Sequence, residues 1–402
     1  MRSSVEREIP RLSPFLVIGM TIFIDVTGFG IILPLLPYYA VAFQAGSTAL
    51  GVLVASFALM QFIFSPVLGR LSDRIGRRPV LLLSILTSVA SFLLFALANS
   101  FIMLLLSRMV AGMATEVGVA QAYIADITEK KRRTTGMGRV GAAHGAGFII
   151  GPALGGFLSN YGFSAAGFAA AALALVNLGF AFFFLPEPRV NRDREGYTGK
   201  GLSFTQGLAK ALSRPFMGSL LVILFIMRLA FSAFPVVMPL LAMSLFGLGS
   251  SDMSFFFVYI GLVQIVFQGF IVGRLSTTLG EGKLIAAGSV LMTLSVFLMA
   301  FFPNFAIFLI LSTIMVSGTG MLGTAVPSLI SKETPPEEQG GVLGVTQSIS
   351  STAGIPGPLI GGSVYEYAGL AAPFLLSAAL LGIASFLGIR ISFKESVSPL
   401  DD

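Results

Sequence analysis

The chain has 402 residues, 55% of them hydrophobic and only 11% charged, with a mean hydropathy of +0.90 and a formal net charge of +6. That composition excludes a water-soluble globular protein, because a chain of this length cannot hide so much apolar surface, and it makes lipid the solvent. The lack of cysteine excludes disulfides, thiol nucleophiles and thiolate metal sites, and one histidine, His144, cannot build a His-based metal site.

Lipid offers backbone groups no partners except one another, so the spans must be helices or a closed barrel. Runs such as Pro79–Ala98 stay apolar over about 20 residues, the length of a spanning helix, and lack the alternation of barrel strands. Breaks at charges, Pro and Gly predict twelve helices. Helices 1 to 6 run near 15–41, 49–70, 79–98, 101–125, 137–159 and 163–185; helices 7 to 12 run near 216–245, 253–273, 283–302, 304–331, 339–365 and 370–391. Residues 1–14 carry charges of both signs ahead of a first span too long for a signal-peptide core, so no cleavage is expected.

Of the 25 Lys and Arg, all but Arg108 and Arg228 fall in the N-terminus, the loops after helices 2, 4, 8 and 10, the 186–215 stretch and the C-terminus. All of these lie on one side of the predicted topology. The positive-inside rule therefore places both termini in the cytoplasm. The basic excess sets topology and does not point to nucleic acid.

The chain also repeats itself. Gly-Arg-Leu-Ser-Asp-Arg-Ile-Gly-Arg-Arg-Pro at 69–79 is echoed by Gly-Arg-Leu-Ser-Thr-Thr-Leu-Gly at 273–280, 204 positions on. Gly151-Pro152 and Gly155-Gly156 recur as Gly357-Pro358 and Gly361-Gly362, and Ala111-Gly112 as Ser317-Gly318, both offset by 206. Pro34 and Pro37 have counterparts in Pro235 and Pro239. The expected fold class is thus an all-α integral membrane protein, with twelve transmembrane helices in two six-helix pseudo-symmetric bundles. The bundles are 1–185 and 216–402, joined by a cytoplasmic linker at 186–215. Two such bundles can enclose a midplane cavity and rock about it.

Charges buried in hydrocarbon are costly and mark function. Four lie away from helix ends: Asp25, Arg108, Glu116 and Arg228. At the helical rise Asp25 is roughly 15 Å and Arg228 about 18 Å from the inner edge, with Arg108 roughly 21 Å and Glu116 roughly 9 Å above it. Asp25 is a candidate proton-binding carboxylate, because its protonation can follow its surroundings; the alternative is a static ion pair between helices 1 and 4. Glu116 is a second proton site, a recognition carboxylate for lipophilic cations, or a partner for an arginine. Arg108 can tune a carboxylate but cannot release a proton. Arg228 tunes the cavity or pairs. His144 relays protons or hydrogen-bonds a neighbouring helix. Tyr38, Phe231, Phe234 and Gln264 are further cavity candidates. In helix 5, Gly147, Gly151 and Gly155 form a small-residue face and Pro152 bends the span. The partner of that face is expected in the other half. A Gly-x-x-x-x-Gly-Lys-Ser/Thr loop is absent, so an ATP-driven pump is unsupported; the chain is not expected to be an enzyme.

These motifs carry a family resemblance. The 69–79 loop resembles the loop motif of the major facilitator superfamily, Arg108 to Gly112 resembles its Arg-x-x-x-Gly motif, and Gly141, Gly145, Gly151, Pro152, Gly155 and Gly156 resemble its antiporter motif. Asp25 through Pro37 resembles helix 1 of drug exporters, so the whole chain looks like the twelve-helix drug:proton antiporter branch. The resemblance implies a secondary active transporter that exports amphiphilic drug-like molecules by alternating access. Its driving ion would be the proton, with no cofactor and no metal. It links Arg108 to proton coupling, which Asp25 and Glu116 are expected to share as buried carboxylates, although Glu116 departs from the tetracycline branch, where that part of helix 4 is small and neutral. It also implies a conformational latch of Gly69, Asp73, Arg77 and Asp126, in which Asp73 faces the start of helix 11 and Arg77 pairs with Asp126. The second copy has Thr277 and Glu281 at the matching places, so the latch is expected on one side only, and Arg74 and Arg78 are expected to be merely topogenic. Where tetracycline exporters carry an acid in helix 3, a histidine in helix 8 and an acid in helix 9, this chain has Ser91, Gln264 and Met292. The alternatives are export of a native metabolite such as a sugar or lipid, or a non-transporting receptor or scaffold. The expected setting is a multi-pass monomer in the cell membrane, with lipid, protons and a small-molecule substrate as partners.

Overall fold

The computed structural model describes residues 13–114, 117–127, 133–188, 214–334 and 339–397. Among the described residues all regular structure is helical. Six passages form the first half: α1 (Pro14–Ala42), α2 (Ser47–Ile75), α3 (Arg77–Ala96), α4 (Phe101–Met113 continued by Val117–Ile127), α5 (Arg133–Ser159) and α6 (Phe163–Phe184). Six more form the second: α7 (Pro215–Phe246), α8 (Ser250–Leu279), α9 (Glu281–Met299), α10 (Phe305–Lys332), α11 (Gln339–Ala353 continued by Pro356–Ala368) and α12 (Ala372–Val397). Eleven of them, all but α11, are long and apolar enough to cross a membrane. Each piece of α11 is too short alone, and the break at Gly354–Ile355 divides what is otherwise a span. Most of the predicted linker, residues 189–213, lies outside the described residues.

The helix breaks follow from local chemistry. Pro34 and Pro37 remove backbone donors and tighten α1 into a 3-10 turn over Leu33–Leu35. Pro235 starts a second segment of α7 after Ser232. The carbonyl of Ala353, freed at the α11 break, accepts from the Ser232 hydroxyl at 3.1 Å, so the two broken helices satisfy each other. The repeat is also visible in the turns. Gly76 and Gly280 reverse the chain before α3 and α9 at φ of 107° and 81°, and Gly162 and Gly369 do so before α6 and α12 at 98° and 85°. These left-handed conformations favour glycine.

The terminal face is the side from which α1 starts and to which α12 returns; the far face is opposite. Within the first half, the small-residue face of α5 packs on α1. A methyl at Gly151 would stand 2.6 Å from the Thr27 carbonyl and 2.7 Å from the Gly30 Cα, and one at Gly147 would stand 2.8 Å from the Phe23 carbonyl. Gly155 likewise abuts the Ile31 backbone, beside the buried Pro152. The expected partner in the other half is therefore corrected: α5 needs these glycines to approach α1 of its own bundle, and it is the neighbouring Gly156 that meets Ser251 and Ser254 of α8. The second half has one continuous apolar core built from α7 to α12. Val236 and Leu240 of α7 instead join a core of the first half.

The halves meet across the far face and part toward the terminal face. On the far side a methyl at Gly51 of α2 would lie 2.5 Å from the Pro358 carbonyl of α11, and Gly362 presses on Ser47. Nearer the middle the contacts loosen to 3.6 Å between a methyl at Gly354 and Ala58, and 3.5 Å between one at Gly145 and Ile265. Closer to the terminal face, methyls at Gly69, Gly141, Gly269 and Gly273 would meet nothing within 4 Å. Between the halves, α2 packs on the Pro356–Ala368 part of α11 and α5 on the Ser250–Val266 part of α8, whereas Val272–Leu279 packs chiefly on α9 and α10 of its own half, so the space between the halves opens on the terminal side.

Candidate functional site

Asp25 sits in mid α1, one turn from the glycines that clasp α5. It is partly buried, and its hydrogen-bond partner is the hydroxyl of Ser88 on α3. The ion pairs among the described residues join Arg77 to Asp73, Arg77 to Asp126 and Lys332 to Glu281. Asp25 takes part in none of them, so the static pair between helices 1 and 4 is not formed with Arg108.

Arg108 is turned away from the opening. It is 1% exposed, with Nη2 3.4 Å from the Ser91 hydroxyl, Nε 3.5 Å from the Ser107 hydroxyl and the guanidinium 5.7 Å from the centre of the Phe95 ring. Ser91 in turn donates to the Ser107 carbonyl at 3.1 Å. The α4 helix ends its first piece one turn later, and Gly112 lets α2 come close there. Glu116 lies outside the described residues.

Arg228 is exposed in mid α7. An ionised guanidinium facing acyl chains in mid-span would be costly, which argues for an orientation toward the space between the halves. His144 is exposed on α5, with its ring stacked along that of Phe148. Gln264 is partly buried on α8. The remaining cavity candidates lie elsewhere. Phe234 is 7% exposed within the second-half core. Together with Phe231 it lines a small apolar crevice among Met238, Met292, Met315 and Phe374. Tyr38 crosses between the halves at the far face and donates to the Leu248 carbonyl at 3.0 Å.

At the terminal face Arg77 Nε donates to Asp126 Oδ2 at 2.9 Å, and Nη1 reaches the Ser72 hydroxyl at 2.6 Å and Asp73 at 2.6 Å. The Asp73 side chain is 63% exposed, and its ion pair among the described residues is with Arg77 of its own half. Gly69 accepts from Ser72 and faces open space. Arg78 does more than set topology: it donates to the Phe182 carbonyl and lies over the Phe182 ring. The one-sided arrangement expected from Thr277 and Glu281 also needs correction. Glu281, 7% exposed, accepts from Lys332 and from Ser328, both at 2.7 Å, and so ties α9 to α10 as Arg77 ties α3 to α4.

Sequence reasoning missed three features. Glu187 caps α3, accepting from the backbone of Arg77 and Arg78 at 2.7 and 2.9 Å. Thr21 on α1, Ser84 on α3 and Asn177 on α6 are buried one turn from the Asp25–Ser88 pair; the Asn177 amide donates to the Thr21 carbonyl at 3.0 Å. Glu366 at the far face accepts from the backbone of Thr48 at 2.7 Å. None has a motif. Only the rarity of Glu and Asn in so apolar a chain could have drawn attention to them.

Comparison with known proteins places this geometry. The family model described as Major Facilitator Superfamily matches residues 18–355 and, in a second alignment, 220–400. The tetracycline resistance protein, class B, of Escherichia coli is 33% identical over 349 residues, 86% of each chain. Multidrug resistance protein 2 of Bacillus subtilis (strain 168) is 29% identical over 385 residues, 95% of each. A solved structure of a bacterial homolog to the human lysosomal transporter Spinster, inward-facing and occupied, has a TM-score of 0.77 at 16% identity over 94% of this chain and 96% of that one, a likeness of fold alone. Two six-helix halves, a charged loop repeated between them and family matches over nearly the whole length make this chain a member of the Major Facilitator Superfamily, a multi-pass membrane transporter and not an enzyme, homologous to tetracycline and multidrug efflux proteins.

Proposed function

We propose that the protein exports amphiphilic drug-like molecules from the cytoplasm in exchange for protons, by alternating access between its two halves. The terminal face would be cytoplasmic, as the distribution of Lys and Arg argues. The state described above would then be open to the cytoplasm and ready to load cargo. The working unit would be a monomer with no cofactor.

The observation that carries this reading is Asp25. It is an acid in mid-span, partly buried, held by a neutral hydroxyl and outside every described ion pair. A carboxyl locked to an arginine stays ionised, whereas one held by a serine can gain or lose a proton as its exposure changes. Arg228, exposed across the same space, supplies the opposing charge that neutral cargo and proton must accommodate. Likeness to efflux proteins named for tetracycline and multidrug resistance supports the substrate class. Ser91, Gln264 and Met292 favour the multidrug side: Ser91 serves Arg108, and Met292 is 1% exposed in the core.

Proteoliposomes with an imposed pH gradient, supplied with cationic dyes, tetracyclines and sugars, test the reading. Uphill movement of a dye against its gradient, lost in Asp25→Asn, is expected. Transport at the same rate with and without the pH gradient would refute proton coupling.

A further inference from the structure

Helix α2 begins without its own cap. Its N-cap residue is Gly46, which has no side chain to accept from the first-turn N–H groups. The acceptor comes from the other half of the molecule: Glu366, in the last turn of α11, takes the Thr48 N–H on Oε2 at 2.7 Å. The fit is close, since a methyl at Gly46 would stand 2.9 Å from the same oxygen. The Thr48 hydroxyl is buried at the same point. A carboxylate at a helix N-terminus also meets the positive end of the helix dipole. With Tyr38 and Leu248, this is a second polar contact that crosses between the halves on the far side.

The two helices run antiparallel, and each ends in an acid. Asp73 lies in the last turn of α2 at the terminal face; Glu366 lies in the last turn of α11 at the far face. Here Glu366 is engaged with the other half, and Asp73 is 63% exposed and, among the described residues, paired with Arg77 of its own half. We propose that Glu366 is a far-face latch, an acid of the second half that caps α2 of the first, holds the far side shut while the terminal side is open, and must let go before cargo can leave. The latch rests on alternating access as proposed above.

The contact depends on the charge. The Thr48 backbone N–H holds the Glu366 carboxyl below its ordinary value. On α11 the other titratable groups at this end are Tyr365, which pairs with Ser244, and exposed Tyr367; on α2 the first titratable side chain after Thr48 is Arg70, at the opposite end. A depressed carboxyl keeps its contact above the ordinary glutamate range and loses it as the pH falls through its own lowered value. The latch is therefore set at neutral pH.

The lack of native cysteine lets spin labels be placed at will. One pair, at Tyr161 and Phe301, reports the far side; a second, at Ile75 and Leu279, reports the terminal side; all four residues are exposed. Glu366→Ala should lengthen the far-side distances and shorten the terminal-side ones, raising the far-open to far-shut ratio roughly fivefold, the loss expected for one helix cap. Glu366→Gln, which keeps an acceptor oxygen but no charge, should shift the ratio less. Asp73→Asn should shift both pairs the opposite way. If Asp73→Asn or substrate moves the distances and Glu366→Ala does not, the latch is refuted while alternating access stands. If nothing moves either pair, alternating access itself falls.

Discussion

Gly51→Ala tests whether α2 and α11 truly separate. The added methyl would lie 2.5 Å from the Pro358 carbonyl oxygen and 3.2 Å from the Leu359 Cα. Relaxed contacts of this kind need about 3.5 Å, so the two helices must part by roughly 1 Å. Both obstacles are backbone, and no side-chain rotation relieves them. Overpacking of this degree costs about 1–3 kcal/mol. Only the state with the far side shut bears that cost, so the balance should move toward the far-open state by about 5- to 150-fold. Gly151→Ala is the control. Its methyl meets the Thr27 carbonyl at 2.6 Å, an overlap of the same size, but between α5 and α1 of one half. That contact persists in both states, so the cost should appear as a lower melting temperature with an unchanged ratio. Distances between labelled far-side positions, measured with thermal melts of the same samples, separate the two effects. If Gly51→Ala merely lowers the melting temperature, as Gly151→Ala does, the halves do not rock apart at α2 and α11, and the far side cannot open along that seam.

Other outcomes are equally specific. Asp25→Asn should abolish pH-driven accumulation in proteoliposomes while leaving downhill exchange of substrate. Lys332→Glu should lower the melting temperature, because Glu281 stays buried beside a second acid; Glu281→Lys combined with Lys332→Glu should recover most of the loss, a coupling of about 1 kcal/mol given the exposure of Lys332. Arg108→Lys retains the charge but not the planar group that spans Ser91 and Phe95, and both melting temperature and transport rate should fall. Thr21→Val should leave the melting temperature level or raise it, because the buried Thr21 hydroxyl has no described partner; a clear drop would mean that the hydroxyl holds a water.

The number, order and repetition of the helices could be read from the chain because lipid imposes them. Apolar length, charge placement and Gly-Pro spacing are properties of single segments, and each segment must satisfy its own backbone. The breaks in α1 and α7 are announced by Pro34, Pro37 and Pro235. The interruption in α11 is less obvious, since Gly354 is one of 46 glycines. Partners between helices could not be read at all. Nothing in the spacing of Gly147, Gly151 and Gly155 says whether the neighbour is α1 or α8, because a small-residue face suits any close helix. The place of Arg108 within its span is legible, but its direction is not: whether it faces the opening or Ser91 depends on how α3 and α4 are rotated. Phe234 illustrates the same limit, as an aromatic residue in an apolar helix reads alike in a core and beside a cavity.

The paired bridges at the terminal face show what a comparison of residue types overlooks. Glu281 stands 204 positions after Arg77, and Lys332 stands 206 after Asp126, the offsets of the repeat itself. Compared letter by letter, the second copy has lost the charged motif. In space it has kept the bridge and inverted its polarity: base on the third helix and acid on the fourth become acid on the ninth and base on the tenth. Coulomb attraction is symmetric in the two signs, so either order pins the start of one helix to the foot of the next. The inversion changes only what each half presents to the other. The first half shows Asp73, paired with Arg77 yet 63% exposed, beside its bridge, and the second shows the base of its own bridge, Lys332, 59% exposed. When the terminal side shuts, surfaces of opposite sign would approach, whereas two faithful copies would bring like charges together. Divergence of the repeat is in this sense a requirement of closing it.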